Sequence, residues 1–211
     1  GMSAGDFDLA VAPDGKAYYY FERVHSETVC ADLTEDYTDV TGYYSNHFPH
    51  SGPPYVREAT AHFVRKGKHY LVTSGTSGYL PNPSEVAVAD SWHGPYIVLG
   101  NPHPTNPSHT SQISSVFQVA GKEDLFIAVA DRWCPTDMDV PYDFYKEVYE
   151  DIFQGKGQHI PQIEKKYGRT MPTPDGKRNT SIAGYVWLPF RFEGDTAYLD
   201  WRDEWRIEDY Q

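Results

Sequence analysis

Short apolar and aromatic runs recur along the chain, cut apart by Gly, Pro, Asn and Asp. Leu9-Ala10-Val11 leads to Ala17-Tyr18-Tyr19-Tyr20-Phe21. Ala61-His62-Phe63-Val64 leads to His69-Tyr70-Leu71-Val72-Thr73, and Ser115-Val116-Phe117-Gln118-Val119 leads to Leu125-Phe126-Ile127-Ala128-Val129. A Gly-Lys pair stands between the members of each couple: Gly15-Lys16, Gly67-Lys68 and Gly121-Lys122. Runs of this length, rich in β-branched and aromatic residues and bounded by turn formers, predict strands joined by tight glycine turns.

The three glycines lie 52 and then 54 residues apart. Further strand-like runs follow each hairpin. These are Thr28-Val29-Cys30-Ala31 in the first unit, and Glu85-Val86-Ala87-Val88-Ala89 with Tyr96-Ile97-Val98-Leu99 in the second. Tyr185 to Phe190 and Thr196 to Trp201 serve the third. About four short strands every ~40–50 residues is the period of a β-propeller. A β-sandwich shares the strand signals but not so long a register. The chain therefore reads as all-β, one domain over 1–211, with four-stranded blades at about 5–50, 56–100 and 111–207.

An insertion at about 135–180 breaks this pattern. Within it Tyr145, Val148, Tyr149 and Ile152 fall at helical spacing, which predicts a short amphipathic helix over 143–153. The remainder, with Gly155, Gly157, Pro161, Pro172, Pro174 and Gly176, reads as loop. The insertion reads as surface decoration in preference to a substrate lid.

Counting back nine residues from each hairpin glycine gives Asp6, Glu58 and Gln112. If the repeat is structural, these three stand at equivalent places at the start of successive first strands, the strands that line a propeller's channel. A carboxylic acid beside a carboxylate keeps its proton near neutral pH. Cleavage of a glycosidic bond requires such an acid, together with a second group that holds or activates water. Carboxylates that merely cap turns are the competing explanation.

Composition narrows the partners. The 211 residues carry a formal net charge of −12, the wrong sign for a nucleic-acid surface. No stretch approaches the ~18 apolar residues of a membrane helix. Gly1 to Gly5 has no apolar signal core, and Gly1 before Met2 reads as a tag remnant. Location stays open: secreted or periplasmic if a parent chain carries a signal, otherwise cytoplasmic. Cys30 and Cys134 read as free thiols, and their spacing fits no zinc site. No metal or cofactor is expected.

Longer motifs carry a resemblance. Gly5-Asp6-Phe7-Asp8-Leu9, Asp14-Gly15-Lys16-Ala17-Tyr18, Arg57-Glu58-Ala59, Gly67 to Tyr79 with Pro81-Asn82-Pro83, Ser111-Gln112, Ala130-Asp131-Arg132-Trp133 and Tyr185 to Pro189 together resemble glycoside hydrolase family 43. The likeness is to its galactan 1,3-β-galactosidase branch. It implies a partial five-bladed propeller, with Glu58 as general acid, Asp6 as its pKa modulator, and Gln112 in the place of the usual base. Thr76, Tyr79, Asn82, Arg132 and Trp133 would line the sugar site. The sequence departs from the family at Glu58-Ala59-Thr60, where Glu-Ala-Pro is common, and at Tyr79, where a tryptophan is usual. The family's first two blades have no counterpart in the sequence.

Three functions follow as expectations. The first is an inverting exo-glycosidase on β-galactan or other plant-polysaccharide side chains, weak or inactive as this length of chain. The second is a non-catalytic truncated relative or carbohydrate-binding remnant. The third, a protein-interaction propeller, would not require the Asp6, Glu58 and Gln112 trio. With three blades the outermost faces would be apolar, so a homodimer or a complementary chain is the expected partner besides oligo- or polysaccharide.

Overall fold

The computed structural model describes residues 2–104, 107–137, 139–171 and 177–211. Strands β1 (Ala4–Val11), β2 (Ala17–Arg23), β3 (Glu27–Leu33) and β4 (Val40–His47) form one antiparallel sheet in chain order. Strands β5 (Arg57–Arg65), β6 (Lys68–Gly75), β7 (Glu85–Ala89) and β8 (Ile97–Gly100) form a second. The third holds β9 (Gln112–Gln118), β10 (Phe126–Arg132) and β11 (Gly184–Pro189) in the order β11-β10-β9.

Each Gly-Lys pair sits at the turn between the first two strands of its sheet. The tightest is Lys66-Gly67, where both residues have positive φ (50° and 76°), the geometry of a two-residue hairpin whose twist matches its strands. β4 is not marked by the sequence pattern, because Gly42 interrupts it; pairing with β3 creates it.

The middle sheet is buried on both faces, as the burial of nearly every residue of β6 shows. Alternation along that strand explains how. Tyr70 and Val72 face the third sheet, joining Phe63, Val86, Phe126, Ala128, Val186 and Leu188 in the largest apolar cluster. Leu71 faces the other way, against Tyr18, Tyr20 and Cys30 of the first sheet. Trp92 from the loop between β7 and β8 completes this second interface. Its ring stacks on Tyr18 with centroids 4.3 Å apart, and its carbonyl accepts from the Tyr20 hydroxyl at 2.8 Å.

The outer sheets are buried on one face only. Phe7, Leu9 and Val11 of β1 are exposed, with Tyr43 and Tyr44 of β4 on the same sheet; Tyr185 and Trp187 of β11 are exposed on the third.

Two expectations need correction. Thr196 to Trp201 does not complete the third sheet. The ladder ends where Phe190 N–H donates to the Phe126 carbonyl (2.8 Å), and the chain then makes its own hairpin of β12 (Arg191–Glu193) and β13 (Thr196–Tyr198). The hairpin carries Phe192, Ala197 and Leu199 onto the largest core. Arg65 clamps it, stacked 3.9 Å from the Phe192 ring centroid and donating to the Gly194 carbonyl.

The second correction lies in the insertion. The expected helix is present as α1 (Tyr142–Gln154), but α2 (Ile160–Tyr167) stands where loop was expected. Pro161 is compatible because it occupies the first turn, where its missing N–H has no helical partner. Gly168, at φ 64°, ends the helix. Pro172, Pro174 and Gly176 lie outside the described residues.

The packing predicts unequal costs for two leucines. Leu71, 1% exposed, should lose about 2–5 kcal/mol on replacement by Ala. Leu9→Ala, at a position 56% exposed, should stay within about 0.5 kcal/mol of wild type. Urea unfolding of the two variants checks the assignment of buried and open faces.

Candidate active site

The first strand of each of the three larger sheets carries an irregularity near its start. In β1 the pairing passes from Ala4↔Arg23 to Phe7↔Phe21, one residue more on β1 than on β2. In β5 it passes from Glu58↔Ser74 to Ala61↔Val72, again with one extra residue. In β9 the extra residue is Ser114. A bulge turns a side chain away from the regular alternation, and bulges gather beside active sites for that reason. Asp6 lies in the first bulge, Glu58 immediately before the second, and Gln112 two residues before the third. Ala59, just after Glu58, has φ +48°, a conformation uncommon for a residue with a Cβ.

These bulges bring polar groups from three sheets together. Gln112 Nε2 donates to Glu58 Oε1 (3.3 Å) and to Ser74 Oγ (2.8 Å). Gln112 Oε1 accepts from Trp133 Nε1 (2.8 Å). The amide is therefore held at both ends. Asp6 bears on Glu58 electrostatically from the first sheet.

Burial is the largest influence on the Glu58 carboxyl, followed by the negative charges of Asp6 and Glu22. Together they push its pKa up to about 8, against the smaller lowering effects of Gln112 and Arg57. Arg57, its chain neighbour, does not neutralise it. Alternation sends that guanidinium to the other side, where it donates to Thr73 Oγ1 (2.9 Å) and the Thr73 carbonyl (2.8 Å). Glu58 is thus a carboxylic acid that keeps its proton at neutral pH.

Glu22 is the member that the repeat did not mark. On β2 it shares the parity of Tyr18, stacked on Trp92, and of Tyr20, stacked on His62 of β5 at 4.8 Å. That row faces the second sheet, and two residues beyond Tyr20 it reaches the level of Glu58. Glu22 is buried, accepts from the His25 backbone N–H at 2.8 Å, and lies so close to Gly5 that a Cβ there would collide with its carboxylate. The signal available in the sequence was the parity of a lone Glu at the end of the apolar run Ala17 to Phe21.

The proposed sugar-site residues divide. Tyr79 and Trp133 pack at a tilt of 52°, ring centroids 5.8 Å apart, and with Gln112, Ser111 and Asp131 they line a small cleft that Gln112 links to Glu58. Thr76 and Asn82 are buried and bonded internally. Thr76 Oγ1 donates to the Val56 carbonyl (2.9 Å). Asn82 closes a ring with both the N–H and carbonyl of Gly75 (2.6 Å each) and donates to Ser77 Oγ. They shape the loop that presents Tyr79. Arg132 is turned away from the trio: it donates to the His109 carbonyl (2.9 Å) and lies over the Trp201 ring.

The insertion is packed against this end of the molecule. Phe144, Tyr145 and Val148 of α1 are buried with Leu80, the residue after Tyr79. Among the described residues, no group of His, Cys, Asp or Glu is arranged to hold a metal ion, and no helix is long and apolar enough to cross a membrane. Both cysteines are free and buried.

The raised Glu58 pKa sets the sign of a pH effect on stability. Folded protein retains this proton from about pH 4.5 to about 8, while the unfolded chain has lost it, so the Glu58 contribution to stability falls as pH rises through that window. Glu58→Gln should remove this dependence, worth about 1 kcal/mol per pH unit within the window. Urea unfolding at pH 5 and pH 8 measures it; an equal effect at both would refute the buried protonated acid. Glu22→Gln should lower the Glu58 pKa, read by carboxyl-carbon NMR titration.

No protein-family model and no curated protein matches the sequence. Solved structures do. A β-1,3-galactosidase of glycoside hydrolase family 43, solved with galactodeoxynojirimycin, is 24% identical with a TM-score of 0.71; the match covers 98% of this chain and 48% of that one. An exo-β-1,3-galactanase from Clostridium thermocellum is 21% identical with a TM-score of 0.64, over 94% of this chain and 34% of the other. An exo-β-1,3-galactanase from Phanerochaete chrysosporium, solved with β-1,3-galactotriose, is 18% identical with a TM-score of 0.63, over 94% and 36%. This chain thus spans half or less of the length of these enzymes. At these identities the likeness establishes the fold: the chain is folded as the corresponding part of a family 43 β-1,3-galactosidase.

Proposed function

We propose that this chain belongs to a glycosidase that removes β-linked galactose units from the end of galactan chains, with inversion at the anomeric carbon. The three sheets are read as blades of a five-bladed propeller, and the bulged strands as the lining of its channel. The observation that carries the reading is the Glu58 carboxyl, protonated at neutral pH and tied to Gln112, beside a cleft walled by Tyr79 and Trp133. Neighbours solved with galactotriose or a galactose-like iminosugar support the choice of sugar.

In this reading Glu58 gives its proton to the leaving glycosidic oxygen as the anomeric C–O bond breaks. A water adds to the anomeric carbon from the opposite face, and its surplus proton passes to solvent, from which Glu58 is recharged. Asp6 and Glu22 keep the proton on Glu58 until the leaving oxygen takes it. Gln112 is too weak a base to ionise water. Hydrogen-bonded to Glu58, it stands on the acid's side of the cleaved bond and holds that carboxyl in place. Tyr79 and Trp133 offer ring faces to the C–H face of the sugar.

The test is hydrolysis of aryl β-galactoside and β-1,3-galactotriose, with α-arabinofuranoside and β-xyloside for comparison. Galactosides should be preferred, and Glu58→Gln should lower the rate by about 10²–10⁴-fold. The rate should fall as pH rises through about 8, where the acid loses its proton. Full turnover by Glu58→Gln would overturn the assignment. Galactoside binding without turnover in the wild type would favour the carbohydrate-binding alternative.

A further inference from the structure

Helix α1 is fastened around Glu58 at three points. Tyr55, three residues before Glu58, donates its hydroxyl to Glu150, and its ring lies under Lys146 (5.6 Å). Leu80, after Tyr79, packs among Phe144, Tyr145 and Val148. On the remaining side Phe153 meets His25 edge to face, with centroids 5.4 Å apart. His25 closes the turn after β2, and its backbone N–H holds Glu22. The helix therefore crosses the same end of the molecule at which Glu58 and Glu22 lie, bridging the second sheet to the first.

This crossing leaves an aromatic strip. Tyr149 is stacked parallel to Phe153 one helical turn on (6.3 Å, 15°), and Phe153 continues the strip to His25. Phe153 and the His25 side chain are each 45% exposed. Tyr149 occupies the inner end; its hydroxyl is close enough to Glu58 for that charge to contribute to raising its own pKa to about 12, after burial. The strip thus runs from the acid outward across two structural units, from half-buried Tyr149 to exposed Phe153 and His25.

We propose that Tyr149, Phe153 and His25 form a binding platform for the leaving-group side of a β-linked galacto-oligosaccharide, on the far side of Glu58 from the Tyr79 and Trp133 rings. This rests on the glycosidase reading and extends it to the chain beyond the cleaved bond. The near-parallel Tyr149 and Phe153 rings suit the C–H face of a pyranose unit, and His25, set edge to face against Phe153 at 69°, borders them with a polar ring. The Tyr149 and Phe153 rings carry no charge at neutral pH, which fits an uncharged glycan. Tyr149 and Phe153 belong to the helical insertion, so the platform makes that segment a determinant of chain-length preference.

The experiment compares galactose with β-1,3-galactotriose by calorimetry, in wild type, Phe153→Ala, Tyr149→Ala and the double variant. Phe153 is half exposed, so its removal leaves folding intact, and thermal unfolding of every variant confirms this. Wild type should bind the triose at least about tenfold more tightly than galactose. The Phe153→Ala and double variants should lose about 5–20-fold of triose affinity, as one or two lost stacking contacts require, with galactose unchanged. Triose affinity unaltered in a folded double variant would overturn the platform while leaving the glycosidase reading standing. So would a wild type that binds both ligands equally. A wild type that binds neither would remove both.

Discussion

The site depends on one backbone constraint: the first strand of each of the three larger sheets must bulge near its start, within two residues of its polar group. A regular strand sends its side chains alternately to the two neighbouring sheets. Glu58, Asp6 and Gln112 in unbroken strands would be committed to those interfaces, where a carboxylate against Phe63 or Tyr20 could not be solvated. One extra residue per strand turns the polar group out of the alternation at the end of the sheet while the rest of the strand stays in the core. The positive φ of Ala59 is the local cost of that arrangement, and it stands beside the acid itself.

Much of this was legible in the sequence, because the hairpin glycines fix the level of every residue before them. Counting from a turn is reliable in a strand, where each residue advances the chain by about 3.3 Å. That is why Asp6, Glu58 and Gln112 could be grouped from spacing alone. Spacing does not reveal a partner contributed by a different strand, so Glu22 escaped: its role follows from β2 facing β5, a fact of sheet packing. Nor does it reveal how hydrogen-bonding capacity is used. Thr76 and Asn82 have the chemistry of sugar ligands, yet their polar atoms close the loop between β6 and β7. The hairpin of β12 and β13 was hidden for a related reason. Its residues are strand-forming in either pairing, and the demand of the largest core for Phe192 and Leu199 decides between them.

The insertion shows the limit of reading a broken pattern as ornament. Its amphipathic period was visible, and α1 follows it. What the apolar stripe packs against was not visible. Leu80 sits in a Pro-rich loop with no periodicity of its own. Once that contact is made, α1 can lie only across the end that bears Tyr79 and Glu58.

The electrostatics of the cluster then explain why a glutamine, rather than a third acidic side chain, completes the trio of first strands. Asp6 and Glu22 already oppose ionisation of Glu58. A carboxylate at position 112 would have to accept from Trp133 and Ser74 while repelling Glu58, and a share of the site's single proton would move to it. Two acids would then titrate as a pair. The amide avoids this. It is neutral, its Nε2 donates to Glu58 and to Ser74, and its Oε1 is fixed by the indole of Trp133. The donated bond slightly favours the Glu58 carboxylate, while burial and two neighbouring charges favour the protonated acid. They thus raise the Glu58 pKa, and Gln112 opposes them only weakly, without adding charge.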